Sequence, residues 1–190
     1  FKIISYEKII NCNLFKNLKL GLDPKLFTHE QIQKYFLKHN KVKFLSNNLI
    51  DEIKSQKVSN NIPFFSIKNE IVGENRKSKI NKITNYLIKN KADNLFVTAP
   101  ENVAWILNIR GGDGPNSPIP NSRLIINKSK KIFLITEAQK VKKIIKEKII
   151  KKDQLVITND LPKKILSLGG KNFIIDNKSC SVFYENIIKS

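Results

Sequence analysis

Apolar residues along this chain recur in two rhythms, one of period two and one near 3.6. Leu18 to Leu22 alternates apolar with polar and predicts a strand, closed by Asp23-Pro24. Thr28-His-Glu-Gln31 has the form of a capping box, and Ile32, Tyr35 and Phe36 follow at helical spacing. Val42 to Leu45 predicts a second strand. These elements make a β-α-β unit at most, too small to bury both of its faces, so it needs a partner from the rest of the chain or from further sequence. Asn47 to Ser66 is polar for most of its length. It predicts a short helix over Leu49 to Lys54 and then a linker, with Pro63-Phe-Phe-Ser-Ile67 at its end.

From Asn75 the pattern regularises. Ile80, Ile83, Tyr86 and Leu87 share one face of a helix running to about Lys89. Asn94 to Thr98 predicts a buried strand, and Pro100 suits the first turn of a helix that Val103, Ala104 and Leu107 continue. Leu124 to Ile126 and Lys131 to Ile135, separated by Asn127-Lys-Ser-Lys130, predict a hairpin. Thr136 is expected to cap a helix to about Ile149. Leu155 to Ile157 predicts a strand, Asp160-Leu-Pro starts a helix that Gly169-Gly170 ends, Phe173 to Ile175 is a last strand and Ser179 to Ile188 a last helix. Helices alternating with strands, plus one hairpin, predict an α/β domain with a mixed sheet flanked by helices.

The chain has 190 residues, which supports one domain of ordinary size or one domain plus part of another, and 41% of them are hydrophobic, enough to build a core. It starts at Phe1 and contains no Met, which predicts an interior fragment or a processed product. No apolar run approaches the ~18 residues of a membrane span, and Lys2, Glu7 and Lys8 break up the first ten residues, so neither a span nor a signal peptide is predicted. Cys12 and Cys180 read as two buried or half-buried thiols in a reducing, cytoplasmic setting.

The net charge of +19 points toward nucleic acid until its source is inspected. Only Arg76, Arg110 and Arg123 among the 35 basic residues are Arg. Specific recognition of bases and phosphates favours the planar fork of Arg over the solvated point charge of Lys. The lysines are also spread along the chain rather than clustered, so no specific nucleic-acid partner is expected. The same bias makes Arg110 and Arg123 stand out, since both flank one loop where bidentate geometry has a use.

That loop carries the most information. Asn102 to Asn121 runs from an apolar segment with the only Trp, Trp105, into Asn108, Arg110 and Asp113, through Gly111, Gly112 and Gly114, and out past three prolines. An apolar anchor followed by a charged Gly/Pro loop is how a rigid scaffold presents a functional surface. Other chemistry finds little support. His29 and His39 lack the carboxylate spacing of a metal motif, and no cysteine cluster suits zinc. No sharp turn presents a nucleophile beside a histidine. Gly111-Gly112-Asp113-Gly114 follows a helical segment instead of a strand, and Asp113 repels phosphate. The lysines of Glu137 to Ile149 read as the solvated outer face of an amphipathic helix rather than a membrane surface.

Thr98-Ala99-Pro100-Glu101-Asn102-Val103-Ala104-Trp105-Ile106-Leu107-Asn108-Ile109-Arg110-Gly111-Gly112-Asp113, completed by Pro118, closely resembles the pattern T-A-x-D-x-[IV]-A-W-L-x-N-[IL]-R-G-x-D-x-x-x-x-P. That pattern marks the second, non-catalytic domain of three-domain Xaa-Pro aminopeptidases of the creatinase/prolidase superfamily. Glu101 stands for the usual Asp and Ile106 for the usual Leu. Leu20-Gly-Leu-Asp-Pro24, Asn48-Leu-Ile-Asp-Glu-Ile53 (with Lys54 where Trp is usual), Pro63 through Gly73, and Asp176 to Tyr184 resemble further family segments in the same order.

The resemblance implies a ribonuclease H-like fold of the creatinase N-terminal type. It implies that residues 1–50 close a first domain, that 51–73 link, and that 74–190 form a second domain. The catalytic domain is expected after residue 190, with two Asp, one His and two Glu around a dinuclear metal centre, usually manganese. The family's substrate-contacting Arg would lie before Phe1. The fragment is therefore expected to hold no catalytic residue, metal or cofactor and to be inactive alone. The parent would remove an N-terminal residue that precedes proline. Its partners would be its own catalytic domain, short peptides with proline second, and a second copy in a homodimer. Trp105, Asn108, Arg110, Asp113 and Pro118 become candidates for the substrate cleft or the catalytic-domain border. The alternative is a stand-alone creatinase-like module that binds protein or peptide without enzyme activity.

Overall fold

A computed structural model describes residues 5, 8, 11–53, 62–114, 116–168 and 172–190. Lys54, the remainder of 54–61, and the Gly169-Gly170 pair expected to end a helix lie outside the described residues. By its contacts the chain divides into two units: Phe1–Val58 with Asn177–Asn186, and Ser59–Asp176 with Ile187–Ser190.

In the first unit, strand β1 (Lys19–Leu22) runs parallel to strand β2 (Lys41–Phe44), with Leu20 opposite Val42. Between them Thr28 caps helix α1 (His29–Ile32): its hydroxyl accepts from the Gln31 N–H while the Gln31 side chain accepts from the Thr28 N–H. The helix widens into a π-turn over Gln33–Leu37. The capping box satisfies two donors that would otherwise be orphaned at the helix start. A short helix α2 (Leu49–Ile53) follows. The parallel pair needs a covering element, and Asn177–Asn186 supplies it. Val182 packs with Ile32 and Phe36, its N–H donates to the Phe27 carbonyl at 2.9 Å, and the Phe183 N–H donates to the Pro24 carbonyl at 3.0 Å. Cys180 is buried, Cys12 is half-buried, and no disulfide joins them.

The second unit opens with strand β3 (Phe65–Ser66), then helix α3 (Arg76–Lys89), whose N-cap Asn75 accepts from the Ser78 N–H. Strand β4 (Asn94–Val97), helix α4 (Pro100–Leu107) and strand β5 (Ile109–Arg110) follow. Strands β6 (Arg123–Asn127) and β7 (Ile132–Ile135) form the expected antiparallel hairpin. Helix α5 (Lys142–Lys146), strand β8 (Leu155–Val156), helix α6 (Leu161–Ser167) and strand β9 (Phe173–Ile175) complete its order, and the last helix of the chain, α7 (Val182–Lys189), begins in the segment that belongs to the first unit.

The main sheet runs β8-β7-β6-β4-β9. Its β4–β6 and β6–β7 pairs are antiparallel, and its β4–β9 and β7–β8 pairs are parallel. The fold is therefore mixed α/β, as the alternation of elements predicts. Leu124, Ile125 and Ile126 are all fully buried, so β6 is covered on both faces. Each such side chain contributes about 1.5–3 kcal/mol over an exposed position. Phe64, Val103, Leu107 and Ile109 join the same core.

One expected element differs. The helix predicted from Thr136 to Ile149 is a tight 3-10 stretch over Ala138–Val141 followed by five α-helical residues. Thr136 does not cap it, because its hydroxyl donates to the Asn121 carbonyl at 3.1 Å. Lys140 is buried, not part of a solvated face. Beyond α5, Lys148 turns into the left-handed region at φ 57°. The Arg76 guanidinium then donates to the carbonyls of Ile149 and Lys148. The two-residue antiparallel pair of β3 and β5, with Phe65 opposite Arg110, has no counterpart in the sequence pattern.

Candidate functional site

Helix α4 ends where the loop begins, and the ending is built into the sequence. Pro100 starts the helix at the position where its missing N–H costs nothing. Asn108 stops it with φ 53° and ψ 43°, a left-handed conformation that Asn tolerates better than most residues. Both ends of the Asn108 side chain are then engaged. Its Oδ1 accepts from the Lys79 ammonium at 2.6 Å, and its Nδ2 donates to the Glu74 carbonyl at 3.1 Å. Its own carbonyl accepts from the Ile67 N–H at 2.9 Å. Asn108 thus ties the end of α4 to α3 and to the strap over 67–74.

Lys79 is the residue that the sequence pattern does not single out. It is 3% exposed, and its ammonium donates to the Trp105 carbonyl at 2.6 Å while lying 4.1 Å from the Trp105 ring centroid. No carboxylate of the described residues comes within ion-pair distance of it. Burial pushes its pKa below the usual value of 10.5, the Glu74 carboxylate pulls it back up, and the nearby Arg110 charge lowers it further. A signal was present: Lys79, Ile83 and Leu87 stand four apart, which puts Lys79 on the apolar stripe of α3.

The loop itself is closed by a second buried lysine. One Asp113 oxygen meets the Lys140 ammonium in an ion pair whose side chains are 11% and 7% exposed. The other accepts from the Asn121 N–H at 2.6 Å. Gly111 donates to the Pro118 carbonyl at 2.9 Å, and Gly114 bridges to Ser117. Gly111 is small of necessity: a Cβ there would stand 2.8 Å from Pro120 Cα and 3.0 Å from the Phe64 ring.

Arg110 and Asp113 do not pair with each other. Among the described residues Arg110 uses only Nη1, donating to the Ile109 carbonyl at 2.9 Å and to the Ala104 carbonyl at 3.4 Å. Trp105 is 55% exposed, and Pro118 is also on the surface. Of the five candidate residues, Trp105, Asn108 and Arg110 line one cavity of about 360 Å³ together with Ile71, Glu74 and Lys79. Asp113 and Pro118 are not among its lining residues. The Glu74 carboxylate is held below its usual pKa by hydrogen bonds from Lys82 and Ser78, and its contact with Lys82 is 2.9 Å.

Among the described residues no three His, Cys, Asp or Glu side chains come together to hold a metal ion, and His29 and His39 are not exceptions. A dinuclear centre does not fit these residues, and no chemistry through a metal follows from them. Among the described residues no helix is long and apolar enough to cross a membrane.

Comparison with known proteins supplies the context for this arrangement. Xaa-Pro aminopeptidase 1 of Dictyostelium discoideum is 29% identical over 140 residues, which are 67% of this chain and 22% of that protein. Probable Xaa-Pro aminopeptidase P of Laccaria bicolor is 28% identical over 143 residues, 71% of this chain and 22% of its own. The chain spans about a fifth of the length of the curated relatives it matches. The crystal structure of an X-prolyl aminopeptidase from Caenorhabditis elegans, a cytosolic enzyme with a di-nuclear active site, shares the fold. Its TM-score is 0.70 at 22% identity, over 87% of this chain and 28% of that one. Residues 55–190, which hold α3, the buried lysines and the whole Trp105–Pro118 loop, match the Creatinase/Prolidase N-terminal domain, and the chain belongs to that family.

Proposed function

We propose that this chain is the non-catalytic N-terminal region of a metal-dependent Xaa-Pro aminopeptidase. It narrows access to the active site of a catalytic domain carried elsewhere in the parent protein, and it supports the parent's assembly as a homodimer. Residues 1–50 close a first N-terminal domain, 51–73 connect, and 74–190 form the second domain. The parent acts on short peptides with proline second, uses a dinuclear manganese centre outside this chain, and works in the cytoplasm. The family match and the aminopeptidase relatives support this reading.

The observation that carries it is the state of the motif's polar groups. Asn108 is used by Lys79 and Glu74, and Asp113 by Lys140 and Asn121. Groups held this way fix the shape of a surface and are not available to move protons. What the loop presents outward is Trp105, Pro118 and the open edge of Arg110. Arg110 is the residue expected at the border with the catalytic domain.

The test compares this chain with its full-length parent on an Xaa-Pro peptide with added manganese. Release of the first residue by the parent, and none by the chain, is expected. Hydrolysis by the chain alone, or a parent inactive on such peptides, would overturn the proposal. In the parent, Arg110→Lys keeps the charge and removes the fork, and kcat/KM is expected to fall about tenfold with little loss of stability. Unchanged kinetics with a lowered melting temperature would return Arg110 to an internal brace.

A further inference from the structure

The cavity of about 360 Å³ between the 67–74 strap and helix α4 has an unbalanced charge. Two cations line it, Lys79 and Arg110, and the one carboxylate there, Glu74, is engaged by Lys82 and Ser78. Among the described residues Lys79 is held by neutral acceptors only. Arg110 turns Nη1 to backbone carbonyls and leaves Nε and Nη2 without a hydrogen bond among the described residues. Nε and Nη2 form the edge of a guanidinium that grips a carboxylate with two parallel hydrogen bonds. Lys could not offer that edge, and the chain uses Lys at nearly every other basic position.

Apolar surface adjoins this edge. Ile71 is 74% exposed and Trp105 55% exposed, and both line the same cavity. A free small carboxylate would leave them wet, whereas a carboxylate borne on a polypeptide would cover them, as aromatic and Arg anchors do at the centres of interfaces. A chain of net charge +19 also draws acidic partners and repels basic ones.

We propose that this cavity is a docking site for an acidic segment of the polypeptide that meets Arg110 at the border with the catalytic domain, which places an Asp or Glu carboxylate on the open edge of Arg110 and lays apolar side chains over Trp105 and Ile71. The inference rests on the border reading of Arg110, and its test needs no catalytic activity, so it fails separately from the peptidase reading.

Trp105 is the only Trp in the chain, so its emission reports on this cavity directly. The full 190-residue chain is titrated with acetyl-Leu-Glu-Glu-Leu-amide, with the same peptide carrying Gln for Glu, and with glutarate. A saturable emission change is expected for the Glu peptide, with binding about tenfold weaker or worse for the Gln peptide. Arg110→Gln is expected to weaken the Glu peptide by a similar factor with an unchanged circular dichroism spectrum. Should Arg110→Gln fail to fold, Gly73→Leu gives an independent arm. Gly73 lines the cavity and a Cβ there meets nothing within 4 Å, so a larger side chain is accommodated at the cavity wall, and it is expected to obstruct binding. No saturable change, equal affinity for the Gln peptide, or binding unaffected by both variants overturns the proposal. Glutarate binding as tightly as the Glu peptide also overturns it, since the site would then take small carboxylates.

Discussion

Lys140 and Lys79 are both almost fully buried, at 5% and 3% exposure, yet the fold meets their charges in different ways. Lys140 has a carboxylate, Asp113, buried beside it. Lys79 has two neutral oxygens and an aromatic face. A buried ion pair is held by mutual attraction, and losing one member strands the other. A buried ammonium among dipoles keeps most of its desolvation cost in the folded state, and that cost persists where the remaining charge has a use. The first lysine closes the loop, and the second leaves positive charge at the cavity beside it.

The largest test of this contrast is Asp113→Ala. It removes the only ion-pair partner of Lys140 among the described residues and also frees the Asn121 N–H. A loss of about 3–5 kcal/mol in chemical denaturation is expected. A loss below about 1 kcal/mol, the range of an exposed pair, would mean that the pair does not hold the loop. A smaller effect is expected from Lys79→Met, which keeps the apolar stem and removes the charge. The Trp105 carbonyl and Asn108 Oδ1 lose their donor, which costs about 1–3 kcal/mol, and Trp105 emission should shift. A cost equal to that of Asp113→Ala would break the comparison.

The smallest effect is in pH. Burial lowers the folded-state pKa of Lys79 below 10.5, so between the two values the unfolded chain binds the extra proton. Stability from this group therefore rises as pH climbs through the folded pKa toward 10.5. Denaturation midpoints of the native chain should gain on those of Lys79→Met across that alkaline window, and parallel curves would refute the assignment. Glu74 acts at the other end: its pKa is lowered from 4.5, so its contribution is present above 4.5 and lost as pH falls through the folded value.

Local signals were legible in the sequence and long-range ones were not. The capping box at Thr28–Gln31, the Pro100 helix start and the β6–β7 hairpin all depend on neighbours within a few residues, and all form. The strands β3 and β5 have two residues each and exist because residues some forty-four apart meet, which no local period encodes. The helix expected over 137–149 failed for the same reason. Thr136 is taken by Asn121 and Lys140 by Asp113, partners far off in sequence that outbid local propensity. Of the candidate site, the loop's residues were legible as a motif. Their partners Lys79 and Lys140 were hidden among many lysines, with only the stripe register of Lys79 to betray it.

The return of Asn177–Asn186 onto the first unit bears on the order of synthesis. Domains generally complete themselves from the N-terminus as the ribosome releases them. Here the first unit lacks Val182, and the N–H groups that Val182 and Phe183 bring to Phe27 and Pro24, until the intervening Ser59–Asp176 has been made. That delay is about 120 residues, roughly ten seconds of elongation. The unit translated first is the one that must wait, with the apolar faces of Ile32 and Phe36 in need of shelter while its partner segment is still inside the ribosome.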